Sequence, residues 1–297
     1  MHRAFRIKNL IIILLTQWAV WYMVFDKNSD VVRIPSAMSY LDIIILGIIT
    51  TMLAIGAYLI NDVYDLEADK HNGIERLKDK RKTLLTYWLV NGIGLILSVY
   101  VALKTQSLGL LWIYPLAVLV LYLYSRLLKG TPLMGNFIVS LFCALVPGIL
   151  FLAERNMITE WKVIDPNGWK DQRELLWMFV LFSFLSSMYR EQVKDLEDAE
   201  GDKAARYLTL PVVYGEERAR ALSIFSGILL LISIVIYAAY HWTMDIQKSI
   251  PFIVLMSLLL WSLQVLCRAY QRSQYSKASK IIKYAMIAGL IYLLMPV

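Results

Sequence analysis

Residues 43–60, IIILGIITTMLAIGAYLI, carry no charge and run straight into residues 61–69, NDVYDLEAD. The apolar run is long enough to cross a bilayer as a helix. The four acids behind it, Asp62, Asp65, Glu67 and Asp69, stand at the mouth of that helix. Carboxylates next to lipid are costly unless something pairs with them. The identity of that partner decides what the chain does.

The rest of the composition agrees with a membrane setting. The chain has 297 residues, 59% of them hydrophobic, and a mean hydropathy of +0.57, too apolar for a soluble globular domain. Its net charge of +7 is expected in cytoplasmic loops rather than in a nucleic-acid surface. Cys143 and Cys267 lie inside apolar runs without metal-ligand spacing, so they read as small core hydrophobes. Arg3, Arg6 and Lys8 precede an apolar run, but no small-residue cleavage site follows WAVWYMVF. That run reads as a retained first helix and not a signal peptide.

Nine segments are long and apolar enough to be candidate spans, at about 9–25, 41–60, 83–103, 107–125, 133–153, 174–192, 220–240, 250–267 and 280–296. The fold class expected is all-α, a polytopic membrane helix bundle of nine transmembrane helices forming a single domain over residues 1–297. With the N-terminus in the cytoplasm, 22 of the 30 Lys and Arg residues fall on the cytoplasmic side and 8 on the other, as the positive-inside rule requires. A bacterial inner membrane is the expected location. Residues 154–174, with the tetrapeptide DPNG, read as an exposed, turn-rich outer connection. Trp18, Trp21, Trp112 and Trp242 sit near expected helix ends and read as interfacial.

A second acidic cluster follows the sixth apolar run, in YREQVKDLEDAEGDKAAR. Asn61, Asp65 and Asp69 are spaced i, i+4, i+8, and Asp62 flanks them. Asp195, Asp198 and Asp202 are spaced i, i+3, i+7. Each set lines one face of a helix. Asp is a poor helix former where Glu would be easier, and like charges on one face repel unless a cation sits among them. Oxygen-rich sites suit a hard cation such as Mg²⁺, which keeps water and binds substrate phosphates. Two carboxylate faces with Mg²⁺ describe a clamp for a diphosphate, and Lys129, Arg190 and Lys194 suit its remaining charge.

These residues carry a resemblance. NDVYDLEAD and DLEDAEGD fit N-D-x-x-D-x-x-x-D and D-x-x-D-x-x-x-D, and they resemble the two aspartate motifs of the UbiA superfamily of intramembrane prenyltransferases. FRIKNLIII, YSRLLKGTPLMGNFIVS and DKAARYLTLPVVYG resemble that family's N-terminal segment, its fourth-to-fifth helix connection and the tail of its second motif. The likeness runs from Arg6 to about Gly215. One stretch departs: HNGIERLKDKRKTL lacks the family's usual proline, and Lys78, Lys80, Arg81 and Lys82 all remain open as its basic contact.

The resemblance implies transfer of a prenyl group from an allylic diphosphate to a membrane-associated acceptor. It implies Mg²⁺ held by Asn61, Asp62, Asp65, Asp69, Asp195, Asp198 and Asp202. Asp65, Asp198 and Lys129 would be the catalytic residues. Asn61, Tyr124, Lys129, Arg190, Lys194, Arg6 and Asn9 would contact substrate. The second motif with its tail looks most like the branch that adds a second geranylgeranyl chain to geranylgeranylglyceryl phosphate, and an aromatic quinone precursor such as 4-hydroxybenzoate is the alternative acceptor. A cation transporter is the rival from another class, but transporters place their acids near the bilayer midplane on broken helices, and these acids follow the apolar runs.

Overall fold

The computed structural model describes residues 2–66, 79–241 and 246–295, which hold helices and no strand. In chain order the helices are α1 His2–Trp21, α2 Lys27–Val32, α3 Tyr40–Tyr64, α4 Lys80–Lys104, α5 Leu110–Leu123, α6 Met134–Gly148, α7 Leu150–Ala153, α8 Arg155–Ile164, α9 Pro166–Ala204, α10 Leu210–Tyr214, α11 Glu216–Tyr240, α12 Ile246–Cys267 and α13 Arg272–Leu294. Tyr22–Asp26 and Tyr124–Leu128 are π-helical turns.

Seven segments of the described residues are long and apolar enough to cross a membrane: Asn9–Val32, Tyr40–Tyr64, Lys80–Lys104, Leu110–Leu128, Met134–Ala153, Glu216–Tyr240 and Ser249–Cys267. Residues 174–192 and 280–294 of the expected sixth and ninth spans are helical, inside α9 and α13, but neither span is among these seven. Their uncharged cores are short: residues 175–189 lie between Glu174 and Arg190, and α13 carries Lys277, Lys280 and Lys283.

The chain divides into two compact units. One comprises Met1–Arg126 with Leu145–Trp177, the other Leu127–Ala144 with Met178–Val297. In the first, α3 packs on α1, α4 and α5. Ser39 caps α3 through a capping box with Asp42, and Tyr100 of α4 donates to the same carboxylate at 3.1 Å. On α4 the buried residues are Tyr87, Asn91, Gly94, Ser98, Val101 and Ala102, while Leu85, Trp88, Leu89, Ile96 and Leu103 are exposed. The small and polar side chains face the protein and the large apolar ones face out, the arrangement of a helix whose solvent is lipid. At Gly94 a Cβ would come within 1.9 Å of the Tyr114 hydroxyl, so only glycine permits that approach of α4 and α5.

The segment after α6 departs from its expected form. It is helical through α8 and into α9. Asp165 precedes α9 and accepts from Gly168 N at 3.0 Å, with Pro166 in the first helical position. DPNG is therefore a helix start, with a capping Asp and a proline whose missing N–H costs nothing there, and not a turn. α8 is amphipathic and buries Met157, Ile158 and Trp161. Trp21 is buried rather than interfacial: its Nε1 donates to Glu154 Oε1 at 2.8 Å. Trp18 and Trp112 are exposed as expected, and Trp242 lies outside the described residues.

In the second unit α12 and α13 form the most extensively packed pair, with α11 against α12 and α10 against α11. Tyr189 of α9 is fully buried and shares a hydrogen bond with Ser262 of α12 at 3.1 Å. Arg220 donates to the Ala269 carbonyl, and Tyr275 donates to the Glu216 carboxylate, fastening the start of α11 to the α12–α13 turn. The cysteines depart from their expected burial: Cys143 is half-buried, and Cys267, at the end of α12, is exposed.

Candidate functional site

The first acidic cluster forms as α3 closes. Asn61 and Asp62 lie in its last turn, and Asp65 is its C-cap, with φ −80° and ψ 3°, its N–H bonded to Asn61 O at 2.8 Å. Asn61 and Asp65 thus share a face, as their spacing requires. α3 itself ends at Tyr64, and Asp69 lies outside the described residues. Asp62 and Asp65 are buried. Among the described residues the side-chain oxygen of Asn61 is buried without a hydrogen-bond partner, an arrangement a protein avoids unless the atom serves something else. One turn back, Tyr58 receives a hydrogen bond from Asn9 of α1 at 3.4 Å. Arg6 belongs to α1, with its side chain outside the described residues. Lys80, Arg81 and Lys82 are exposed at the start of α4, and Lys78 lies outside the described residues.

The second cluster lies wholly within α9, and Asp195, Asp198 and Asp202 fall on one of its faces as the spacing predicts. Burial pushes Asp195 up to about 7, with Glu191 and Asp202 adding to the rise while Asn136 and Lys194 oppose it. Burial likewise pushes Asp202 up to about 6, with Asp198 adding and Thr209, Lys129 and Lys194 opposing. Asn136 Nδ2 donates to Asp195 Oδ2 at 2.9 Å, and Thr209 Oγ1 donates to Asp202 Oδ2 at 3.0 Å.

The cations expected near this cluster are distributed unevenly. Lys129 and Lys194 act on Asp202, and Lys194 also on Asp195. Lys129 follows the π-helical turn that begins at Tyr124, a backbone form frequent at functional sites, and its Nζ lies 5.7 Å from the Tyr207 ring centre. Arg190 is engaged instead by Glu191 at 2.6 Å. Sequence reasoning missed Arg272, whose Nη2 lies 4.0 Å from Asp198 Oδ1. It also missed Asn136, Tyr207 and Thr209. These three lie in the connecting stretches quoted above for their resemblance, which was the available signal. Arg272 lies beyond those stretches and had none.

The donor set fits a magnesium ion. Among the described residues no three Asp, Glu, His or Cys side chains converge as a closed metal cage. Mg²⁺ does not require one: it takes one or two carboxylates, keeps water and completes its shell with substrate phosphate. The buried, unpartnered oxygen of Asn61 is the sort of hard ligand it prefers.

Comparison with known proteins adds to this geometry. The profile of the UbiA prenyltransferase family matches residues 31–289. A digeranylgeranylglyceryl phosphate synthase of Sulfolobus acidocaldarius is 32% identical over 63% of this chain, a match that spans 62% of that relative. One of Methanosarcina mazei is 28% identical over 91% of this chain and 87% of its own. A solved structure described as giving insight into digeranylgeranylglyceryl phosphate synthase in membranes superposes with a TM-score of 0.67 at 22% identity, covering 97% of this chain and 94% of that one. At that identity the superposition speaks for the fold.

Proposed function

This chain belongs to the UbiA prenyltransferase family and is an integral membrane prenyltransferase; we propose that it joins a prenyl group from an allylic prenyl diphosphate, geranylgeranyl diphosphate, to geranylgeranylglyceryl phosphate. The observation that carries the acceptor is the name shared by the relatives, both digeranylgeranylglyceryl phosphate synthases. The family profile runs through parts of both compact units, which supports reading residues 1–297 as one functional domain. The excess of Lys and Arg on one side supports a cytoplasmic N-terminus and cytoplasmic acidic clusters. The relatives are archaeal, so they lend the expected bacterial inner membrane no support.

In this reaction the bond from the allylic carbon to the diphosphate oxygen breaks. The acceptor hydroxyl oxygen bonds to that carbon, diphosphate departs with the bonding electron pair, and the hydroxyl proton passes to the released diphosphate or to water. Mg²⁺, when bound, supplies the Lewis acidity that neutralises the charge growing on the leaving group. The candidate ligands for it are Asn61, Asp62, Asp65 and Asp69 on the first acidic face and, as a separate set, Asp195, Asp198 and Asp202 on the second. Lys129 stabilises the departing diphosphate as a fixed positive charge, its position set against Tyr207, with Tyr124 as a further contact. Arg6, Asn9, Arg190 and Lys194 are assigned to the polar ends of the substrates. The apolar helices keep water from the allylic cation.

The test is a transfer assay on purified protein in detergent with geranylgeranyl diphosphate and Mg²⁺. Geranylgeranylglyceryl phosphate and 4-hydroxybenzoate are offered in parallel and products are identified by mass. The doubly prenylated glycerophosphate is expected, and Asp65→Ala or Asp198→Ala should abolish it while the protein stays folded. Prenylated benzoate alone would move the acceptor to an aromatic one. Normal turnover in either variant would refute the role given to the carboxylates.

A further inference from the structure

Thr209 stands at the N-cap of α10 with extended backbone, φ −67° and ψ 163°. A threonine there ordinarily turns its hydroxyl onto the first free N–H groups of the helix. Thr209 makes no such cap bond and gives its hydroxyl to Asp202 instead. Asn136, in the first turn of α6 and 6% exposed, likewise spends its amide on Asp195, far away in the chain. The connections that carry these donors are tied to one another. Leu208 N donates to Gly130 O at 2.8 Å, and the Tyr207 ring lies so close to Gly130 that a Cβ there would come within 2.9 Å of it. Each donor engages one carboxylate oxygen and leaves the other for a cation, as the outer partners of metal ligands do.

We propose that Asn136 and Thr209 are positioning residues of the prenyl-transfer site, each fixing one aspartate of the second cluster in the orientation that takes a divalent cation. The inference rests on the metal-dependent function proposed above. Aspartates on one helix face repel, and without a fixed partner each would turn away from its neighbours. A neutral donor holds the side chain without adding a charge that competes with the metal.

The test uses the full-length protein in detergent and the pair Thr209→Val, which keeps the shape and loses the donor, and Thr209→Ser, which keeps the donor. Mn²⁺ binding is followed by electron paramagnetic resonance with inorganic pyrophosphate present, and thermal unfolding checks that each variant is folded. Thr209→Val is expected to weaken Mn²⁺ binding about tenfold and to raise the Mg²⁺ needed for half-maximal turnover by a similar factor. At saturating Mg²⁺ its KM for prenyl diphosphate should stay near that of the wild type. Thr209→Ser should restore the affinity. Asn136→Leu should repeat the loss, and the Thr209 pair decides the matter if Asn136→Leu does not fold. Wild-type affinity in folded Thr209→Val, or a serine variant as weak as the valine one, overturns the inference alone. A wild-type protein that binds no Mn²⁺ overturns the metal-dependent reading and this inference with it.

Discussion

Asp195 and Asp202 are raised by burial to about 7 and about 6, values for the protein without a cation. Around neutral pH, then, a proton and a cation compete for the same oxygens. As pH falls, these two groups protonate before ordinary carboxylates do, and metal must displace the proton. The Mg²⁺ concentration for half-maximal turnover should therefore rise as pH drops from about 8 to about 6, by at most about tenfold per unit for each proton released. Turnover measured against Mg²⁺ at several pH values checks this, and a flat dependence would contradict it. The aspartate spacing was legible in the sequence because helical periodicity alone sets it. The donors to Asp195 and Asp202 were not, since a hydrogen bond from Asn136 depends on how the chain returns.

At the scale of elements, α4 shows why a membrane helix can be found from hydropathy and yet be packed by its least hydrophobic residues. Its buried positions, Tyr87, Asn91, Gly94, Ser98 and Val101, step alternately by four and three, a seam for neighbouring helices. Glu154 joins elements in another way. It is fully buried and accepts from Trp21 of α1, from Ser36 Oγ at 2.6 Å and from Ala37 N at 2.7 Å. Glu154→Gln would set a side-chain N–H₂ against one of these donors, which costs about 1–3 kcal/mol. Thermal unfolding in detergent should show a clear loss of stability, with exposed Glu160→Gln as the unchanged control. Equal stability in the two variants would remove Glu154 from its structural role. This cluster escaped sequence reasoning because DPNG and its neighbours have turn composition. The same residues, Asp then Pro, also begin helices, and burial of Trp161 and Trp169 selects the helix.

For the whole molecule, the orientation proposed from loop charge is directly testable. In a chain whose native cysteines are replaced, Arg218→Cys should react with a membrane-impermeant thiol reagent only from the cytoplasmic side, and Glu160→Cys only from the opposite side. Both positions are exposed. Labelling of the two from the same side would overturn the orientation and the span count together. The positive-inside argument needs no tertiary structure because it acts during insertion, loop by loop. Assigning residues 174–192 and 280–296 is harder. Residues 174–192 and 280–294 are helical, but charges shorten the apolar core of each, and only packing against other helices can compensate for that.

The amino-acid sequence by itself determined the all-α membrane class, the course of most helices and the shared helical face of Asp195, Asp198 and Asp202, because length, hydropathy and a period of 3.6 are local properties. Tertiary structure decided which neutral groups hold the second set of carboxylates, which cation is already engaged by a neighbour, as Arg190 is by Glu191, and that Glu154 is a buried junction rather than a loop acid. The bond from Asn136 to Asp195 and the bonds to Glu154 cross long chain separations, where the low dielectric of the interior makes every partner count and no local periodicity records the choice.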